Sequence, residues 1–264
     1  MKLEVYNATH VSVCGDSFGV GSGMPMHRCF EDSFGGQVSS TMGIPLKVYA
    51  RSGSCNFLIY LQVKKVVEQS ITRNDRPLVL INLTSYSRIV FPYDSRSVGG
   101  LSDLSNVDYR SYHPYHKTSH PRRELEFDTV ESPNLTSETI SNVGLALHGN
   151  MESPGRLAEV AKKKWKAISI YFEEIYDDSV KIEIDSALAT TMHYMLEKAG
   201  LPHIFIGVRK DFFPMIPNKN FLEENWGDIS KLHQDPAMTK HCNAVGHGIV
   251  ASKILEKIAF KNKD

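Results

Sequence analysis

The stretch VSVCGDSFG at Val11–Gly19 decides how the rest of this 264-residue chain is interpreted. Its first four residues include two valines and carry no charge, which is typical of a buried strand. Gly15 then allows a tight turn, and the turn ends on Ser17. A serine at the exit of a strand lies beside backbone N–H groups that can bind an oxyanion, so Ser17 is a candidate nucleophile. The alternative is that Asp16 and Ser17 only cap a helix.

A second informative stretch, HCNAVGH at His241–His247, lies near the other end of the chain and opens an apolar run with helical spacing. Asn243 is predicted to be the N-cap of that helix. His241 is therefore expected in the loop just before the helix, where it can reach a neighbouring strand end. We expect His241 to be a general base and His247 to have a capping or packing role.

A serine after the first strand, followed at the far end by a histidine before the last helix, resembles the SGNH or GDSL hydrolase family over nearly the whole chain. The segment GDSF at Gly15–Phe18 corresponds to the first family block. The resemblance implies that Ser17 is the nucleophile and that its own N–H contributes to the oxyanion hole. It also implies a flavodoxin-like α/β fold, in which a doubly wound, mainly parallel sheet lies between two layers of helices.

The second family block fits ARSGSCN at Ala50–Asn56, which precedes a helical pattern that starts at Phe57. The resemblance makes the N–H of Gly53 the second oxyanion donor. The polar side chains of Asp16, Asn56 and Arg88 are candidates for binding the substrate, although Arg88 is equally suited to a surface salt bridge.

The third block departs from the family pattern. A strand is predicted at 77–83, but the Gly-x-Asn-Asp motif that normally ends it is missing. Aligning the strand end places Thr84 and Ser85 near the family positions, with Ser85 in place of the asparagine that donates to the oxyanion. Asn82 is the competing donor. Losing one such donor costs about 10²–10³ in rate when nothing replaces it.

The last block departs as well, because the residue three positions before His241 is Met238 rather than an aspartate. The nearest upstream acid is Asp235, and the following Pro236 favours a turn that would bring it back to the histidine. Asp228 is a weaker candidate. A Ser-His dyad without an acid, as found in some family members, is the remaining alternative.

The chain-wide pattern predicts one domain over residues 1–264. Strands are predicted at 10–14, 45–50, 77–83 and 203–208, and helical patterns at 162–176 and 187–196 lie between the last two. An irregular, polar insertion at about 93–154 interrupts this order and contains three histidines, His113, His116 and His120. Since ligand sites gather at the carboxyl ends of parallel strands, we expect the insertion to influence substrate choice.

Composition limits the function classes. Thirty basic and thirty acidic residues leave no net charge, which argues against nucleic acid as a partner. The sequence has no apolar run of membrane-spanning length and no signal-peptide pattern, so a cytoplasmic location without a membrane span is expected. The spacing of the four cysteines matches no zinc motif, and we expect no metal and no cofactor. Composition does not indicate an oligomeric state.

These observations predict a serine esterase that acts on a small-molecule or carbohydrate ester. A small acyl group, such as acetyl on a carbohydrate, is favoured because no long apolar lid is seen. The alternative is a protein that keeps the hydrolase fold without activity, as a binding or structural module. Two of the four blocks are altered, and their altered forms resemble hydrolase-like phage proteins, so that a role in the virion or its assembly fits this alternative.

Overall fold

The structure, a computed structural model, describes residues 2–21, 28–50, 54–84, 88–91, 145–148, 174–235 and 238–261. The chain forms two compact units. The first combines Met1–Ser85 with Asp185–Asp264, and the second is Tyr86–Ile184. The insertion predicted at about 93–154 falls within the second unit, and of the insertion only residues 145–148 are described.

The described residues form eleven strands and six α-helices. In chain order, the strands are β1 (Leu3–Tyr6), β2 (Val11–Cys14), β3 (Leu46–Val48), β4 (Leu78–Asn82), β5 (Arg88–Phe91), β6 (Leu145–His148), β7 (His203–Gly207), β8 (Phe221–Glu223), β9 (Gln234–Asp235), β10 (Met238–Cys242) and β11 (Ile258–Lys261). The α-helices are α1 (Ser17–Val20), α2 (Phe34–Met42), α3 (Asn56–Arg73), α4 (Asp178–Lys198), α5 (Trp226–Leu232) and α6 (Ala244–Lys257). Two short 3₁₀ helices lie at Lys210–Phe212 and Asn218–Asn220.

A five-stranded parallel sheet in the order β3-β2-β4-β7-β8 forms the centre of the first unit. Numbered by their order along the chain, these strands have the 2-1-3-4-5 order of flavodoxin-like folds. From β2 the chain first adds β3 on one side, and it then crosses back to add β4 on the other side of β2. The direction in which strands are added therefore reverses between β2 and β4. In sheets of this kind, ligands bind outside the carboxyl ends of the strands at that reversal, and Ser17 follows β2 there.

The three inner strands, β2, β4 and β7, are buried along their whole length. Strands buried on both faces need helices on both faces of the sheet. Right-handed crossovers place α2, between β2 and β3, opposite to α3, which connects β3 to β4 in the other direction. Helix α6 packs against α2. The arrangement is α/β with parallel strands flanked by helices, and it is compatible with a three-layer α/β/α fold.

All four predicted strands are confirmed, since they overlap β2, β3, β4 and β7. The helical pattern at 187–196 is also confirmed within α4, and Asn243 caps α6 as predicted, its side chain accepting hydrogen bonds from two backbone N–H groups. The pattern that starts at Phe57 forms α3, but the Phe57 side chain itself is 41% exposed and does not belong to the buried face of the helix. The pattern at 162–176 lies almost entirely outside the described residues.

Smaller strand pairs complete the described structure. The parallel pair β1–β11 joins the two ends of the first unit, and β9 pairs antiparallel with β10. In the second unit, β5 and β6 form an antiparallel pair. Within the described ranges, no helix is both long enough and apolar enough to cross a membrane.

Candidate active site

Ser17 and His241 meet at the carboxyl end of β2, although 224 positions separate them in the sequence. Ser17 begins α1, and its Oγ lies 2.9 Å from Nε2 of His241. His241 does not stand in a loop, as the sequence predicted, but in β10, three residues before α6. In the tautomer that leaves Nε2 unprotonated, the ring can accept the proton of the serine hydroxyl. This is the arrangement of a nucleophile and its general base.

The turn before Ser17 is fixed by Gln62 of α3, a residue that the sequence analysis missed. Its Oε1 accepts a hydrogen bond from the Gly15 N–H at 2.7 Å, and its Nε2 donates to the Gly15 carbonyl at 3.1 Å. Gly15 has a φ of +156°, and a Cβ at this position would lie 2.8 Å from Cβ of Asn82. Because of this close approach, only glycine fits the turn. The sequence indicates this role only weakly, since Gln62 is a neutral polar residue within a helix that packs on the sheet.

Asp16 lies beneath the serine in a buried hydrogen-bond network. Its Oδ1 accepts from the Phe18 N–H at 3.0 Å and from Nδ2 of Asn82 at 2.8 Å, while its Oδ2 accepts from the Thr84 hydroxyl at 2.9 Å. The residue is 2% exposed. The prediction that Asp16 binds substrate is therefore wrong, because the carboxylate faces the interior and holds β2, α1 and the end of β4 together.

Asn82 belongs to the same network and was wrongly proposed as an oxyanion donor. The residue is fully buried, its amide nitrogen donates to Asp16, and its Oδ1 accepts from Nε1 of Trp226. A substrate oxygen has no access to an amide in this position. The side chain instead links the end of β4 to the first residue of α5.

Asn56, the first residue of α3, is also structural, contrary to its predicted role in substrate binding. Its Nδ2 donates to Asp185 of α4 at 2.8 Å and to the Thr84 carbonyl at 3.1 Å, and its Oδ1 accepts from the Thr84 N–H at 2.9 Å. Asn56 is 1% exposed. It fixes the segment after β4 against the two helices.

Aromatic rings hold the histidine in place. Phe18, next to the serine, stacks on Trp226 with 4.8 Å between ring centroids and 16° between planes. The Phe18 ring also lies 5.1 Å from the imidazole of His241. The sequence gives no sign that Trp226 reaches this site, because the contact depends on how α5 packs.

His247 has the packing role that the sequence predicted. It is fully buried in α6, and its Nδ1 accepts a hydrogen bond from the Phe34 N–H at 3.2 Å. Burial, with a smaller contribution from the charge of His241, lowers the pKa of His247 to about 3. The ring is therefore neutral at physiological pH and is not the base.

The buried His247 predicts a loss of stability in acid. In the unfolded chain a histidine takes up a proton near pH 6.5, whereas folded His247 does so only near pH 3. Between these values the unfolded state binds more protons, so the free energy of unfolding falls as the pH falls. We expect His247→Gln to reduce this slope by about 1 kcal/mol per pH unit in urea unfolding between about pH 6 and 4.5. The partly exposed His233→Gln variant is the control, and equal slopes for His247→Gln and the wild type would contradict the prediction.

The two candidate acids for His241, Asp235 and Asp228, lie in different surroundings. Asp235 lies in β9, paired with Met238 of β10, so its backbone neighbours the strand that carries His241. Its carboxylate lies outside the described part of the chain. Asp228 is contradicted as the acid, because its carboxylate pairs with Lys231 at 3.0 Å and accepts from Asn225 at 2.8 Å on the surface of α5.

Several residues predicted for the site lie outside the described part of the chain. Gly53 and Ser85, the other oxyanion candidates, fall in the gaps at 51–53 and 85–87. Arg88 is placed only by its backbone in β5. The histidines of the insertion, at 113, 116 and 120, also lie outside the described residues.

Three of the four cysteines have thiols with raised pKa values. All four lie within the described ranges, and none of them forms a disulfide. Burial raises the pKa of the Cys29 and Cys242 thiols to about 11 and that of Cys14 further still. These three thiols stay protonated at neutral pH, and the thiolate is the reactive form.

Neither a known protein-family model nor a curated protein matches the sequence. The description of the site therefore rests on its geometry. It is a serine-histidine pair at the reversal point of a parallel α/β sheet, supported by a buried carboxylate network.

Proposed function

We propose that this protein is a serine hydrolase of the SGNH type that cleaves carboxylic esters through an acyl-enzyme on Ser17. The observation that carries the proposal is the 2.9 Å distance between His241 Nε2 and Ser17 Oγ. The same two residues are the nucleophile and the base that the sequence predicts, although 224 positions separate them. A serine that only capped a helix would need no imidazole at its hydroxyl.

The reaction proceeds in two steps. His241 accepts the hydroxyl proton as Ser17 Oγ attacks the ester carbonyl, and the resulting imidazolium returns the proton to the departing alcohol. Water then enters, gives a proton to His241, and its oxygen attacks the acyl-enzyme. Collapse of the second tetrahedral intermediate releases the acid, and the proton returns to Ser17.

The oxyanion of both intermediates would be bound by backbone N–H groups. In the first turn of α1, the Phe18 N–H donates to Asp16 and the Val20 N–H donates to the Asp16 carbonyl. The Ser17 N–H takes part in neither bond and is the first proposed donor. Gly53 is proposed as the second from the family resemblance. With Asn82 withdrawn into the buried network, Ser85 is the remaining third candidate.

We propose a small acyl group, such as acetyl on a carbohydrate, as the part transferred to Ser17. No long apolar lid is seen in the sequence to shelter a fatty acyl chain. A series of p-nitrophenyl esters from acetate to octanoate tests this preference directly. The rate is expected to fall as the acyl chain lengthens.

The proposal is tested by treating the folded protein with a fluorophosphonate and locating the adduct by mass spectrometry. We expect one adduct on Ser17 and hydrolysis of p-nitrophenyl acetate, both lost in Ser17→Ala. Serine 40, exposed on α2, provides the matched control, since Ser40→Ala should react like the wild type. A folded wild type that is neither labelled nor active would instead support the non-catalytic binding or structural role.

A further inference from the structure

We infer that His193, Glu197 and His203 form a second site, which binds a divalent transition metal of the zinc class. His203 is the first residue of β7, so the site lies at the amino end of the parallel sheet. Ser17 lies at the carboxyl end. The two sites therefore lie at opposite ends of the parallel strands, and the metal site does not depend on the proposed esterase activity.

The backbone brings these three side chains together in two ways. His193 and Glu197 are four residues apart on α4 and so share one face of the helix. Gly200, with a φ of +66°, follows the helix and allows the chain to turn back into β7. One ligand atom from each of His193, Glu197 and His203 lies within 4.8 Å of the others.

The imidazole nitrogens already converge. Nδ1 of His193 lies 2.8 Å from Nε2 of His203. Two nitrogens bound to zinc at about 2.0 Å in tetrahedral geometry are about 3.3 Å apart. To admit the ion, the two nitrogens must move about half an ångström apart and the rings must turn so that both lone pairs point at the metal.

The hydrogen bonds of His203 prepare it as a ligand. Its Nδ1 lies 2.8 Å from the Leu201 carbonyl and must donate its proton there, which leaves the lone pair of Nε2 pointing at His193. A ligating histidine is commonly oriented by such a bond from its other nitrogen. His193 then binds through Nδ1 by moving its proton to Nε2, a change of tautomer that releases no proton.

Burial lowers the pKa of His203 to about 4 and also lowers the pKa of His193, whereas the charge of Glu197 raises the pKa of His193.

A buried polar atom beside the pair lacks a partner. Nδ2 of Asn220 donates to the His203 carbonyl at 3.0 Å and lies 3.5 Å from His203 Nε2. Oδ1 of the same amide is buried, and no described residue donates a hydrogen bond to it. Buried polar atoms of this kind are uncommon and call for a partner. A metal ion, or a water bound to one, would supply it.

The donor set selects the metal class. Two imidazoles and one carboxylate are typical ligands of zinc, with a fourth position left for water or a further ligand. Calcium and magnesium prefer sites made of oxygen ligands alone. The sequence predicts no metal because the spacing of its four cysteines matches no zinc motif. This cluster contains no cysteine.

The test is zinc titration of the metal-stripped full chain by calorimetry, with cobalt absorption as a second readout. We expect one strong site in the wild type, and a cobalt spectrum without a thiolate charge-transfer band. Glu197→Gln should weaken zinc binding at least about tenfold, and His203→Gln should weaken it more. Glu197 is exposed, so its variant should fold even if His203→Gln does not.

Two controls isolate the cluster. His233→Gln, outside it, should bind zinc like the wild type, and so should Ser17→Ala, which separates this site from the proposed hydrolase. A wild type that binds no zinc at about 100 µM, where binding should also raise the melting temperature, would overturn the inference. Equal zinc affinity in Glu197→Gln and the wild type would overturn it too.

Discussion

Replacing Ser17 and His241 together should lower ester hydrolysis no further than replacing Ser17 alone. Each single change to alanine should reduce kcat/KM for p-nitrophenyl acetate by about 10³-fold or more, because a nucleophile and its base act as one unit. The kcat/KM of the double variant should equal that of the less active single variant. It should not be reduced by the product of the two single-variant factors. The measurement is a kinetic double-mutant cycle at one pH and equal enzyme concentration.

Matched controls for this cycle are Ser40→Ala and His233→Ala, which remove the same side chains away from the site. Both should retain wild-type kcat/KM. If the losses at Ser17 and His241 multiply instead, the two residues act independently, and the 2.9 Å contact does not have the proposed role.

The serine-histidine pair and the sheet were the parts most open to prediction from sequence. Ser17 follows a strand whose residues are all apolar or small, and the turn glycine beside it marks a sharp change of direction. His241 lies two residues before the N-cap Asn243, which opens an apolar helical run. These are local signals, and short-range hydrogen bonding and periodicity suffice to produce them.

Residues that support the pair were harder to predict, because their roles depend on distant partners. Asp16 and Asn82 lie at strand ends and Asn56 begins α3, and at such positions a side chain can face either the cleft or the interior. All three face the interior. Gln62 and Trp226 contact the site only because α3 and α5 pack beside it, and no spacing in the sequence encodes that packing.

The structure also shows why so many polar side chains are buried at this end of the sheet. A sharp turn after β2 leaves backbone groups that no neighbouring strand can satisfy. Gln62 binds both polar atoms of the Gly15 backbone, and Asp16 accepts from the Phe18 N–H. The polar residues thus stabilise the turn that carries Ser17.

The Asp16 carboxylate should be the most sensitive part of this network. Asp16→Ala leaves the Phe18 N–H, the Asn82 amide and the Thr84 hydroxyl without their acceptor. An unpaired buried donor costs about 1–3 kcal/mol. The Asn82 amide is fully buried and the other two donors are partly buried, so the free energy of unfolding should fall by about 2–3 kcal/mol. Urea unfolding followed by tryptophan fluorescence measures the change.

Asp16→Asn provides the matched comparison and should cost only about 1 kcal/mol. Its Oδ1 can still accept from Phe18 and Asn82, and its new amide can donate to the Thr84 hydroxyl, which accepts as readily as it donates. If Asp16→Asn destabilises the protein as much as Asp16→Ala, the negative charge matters more than the number of hydrogen bonds. If both variants are as stable as the wild type, the network does not stabilise the turn that carries Ser17.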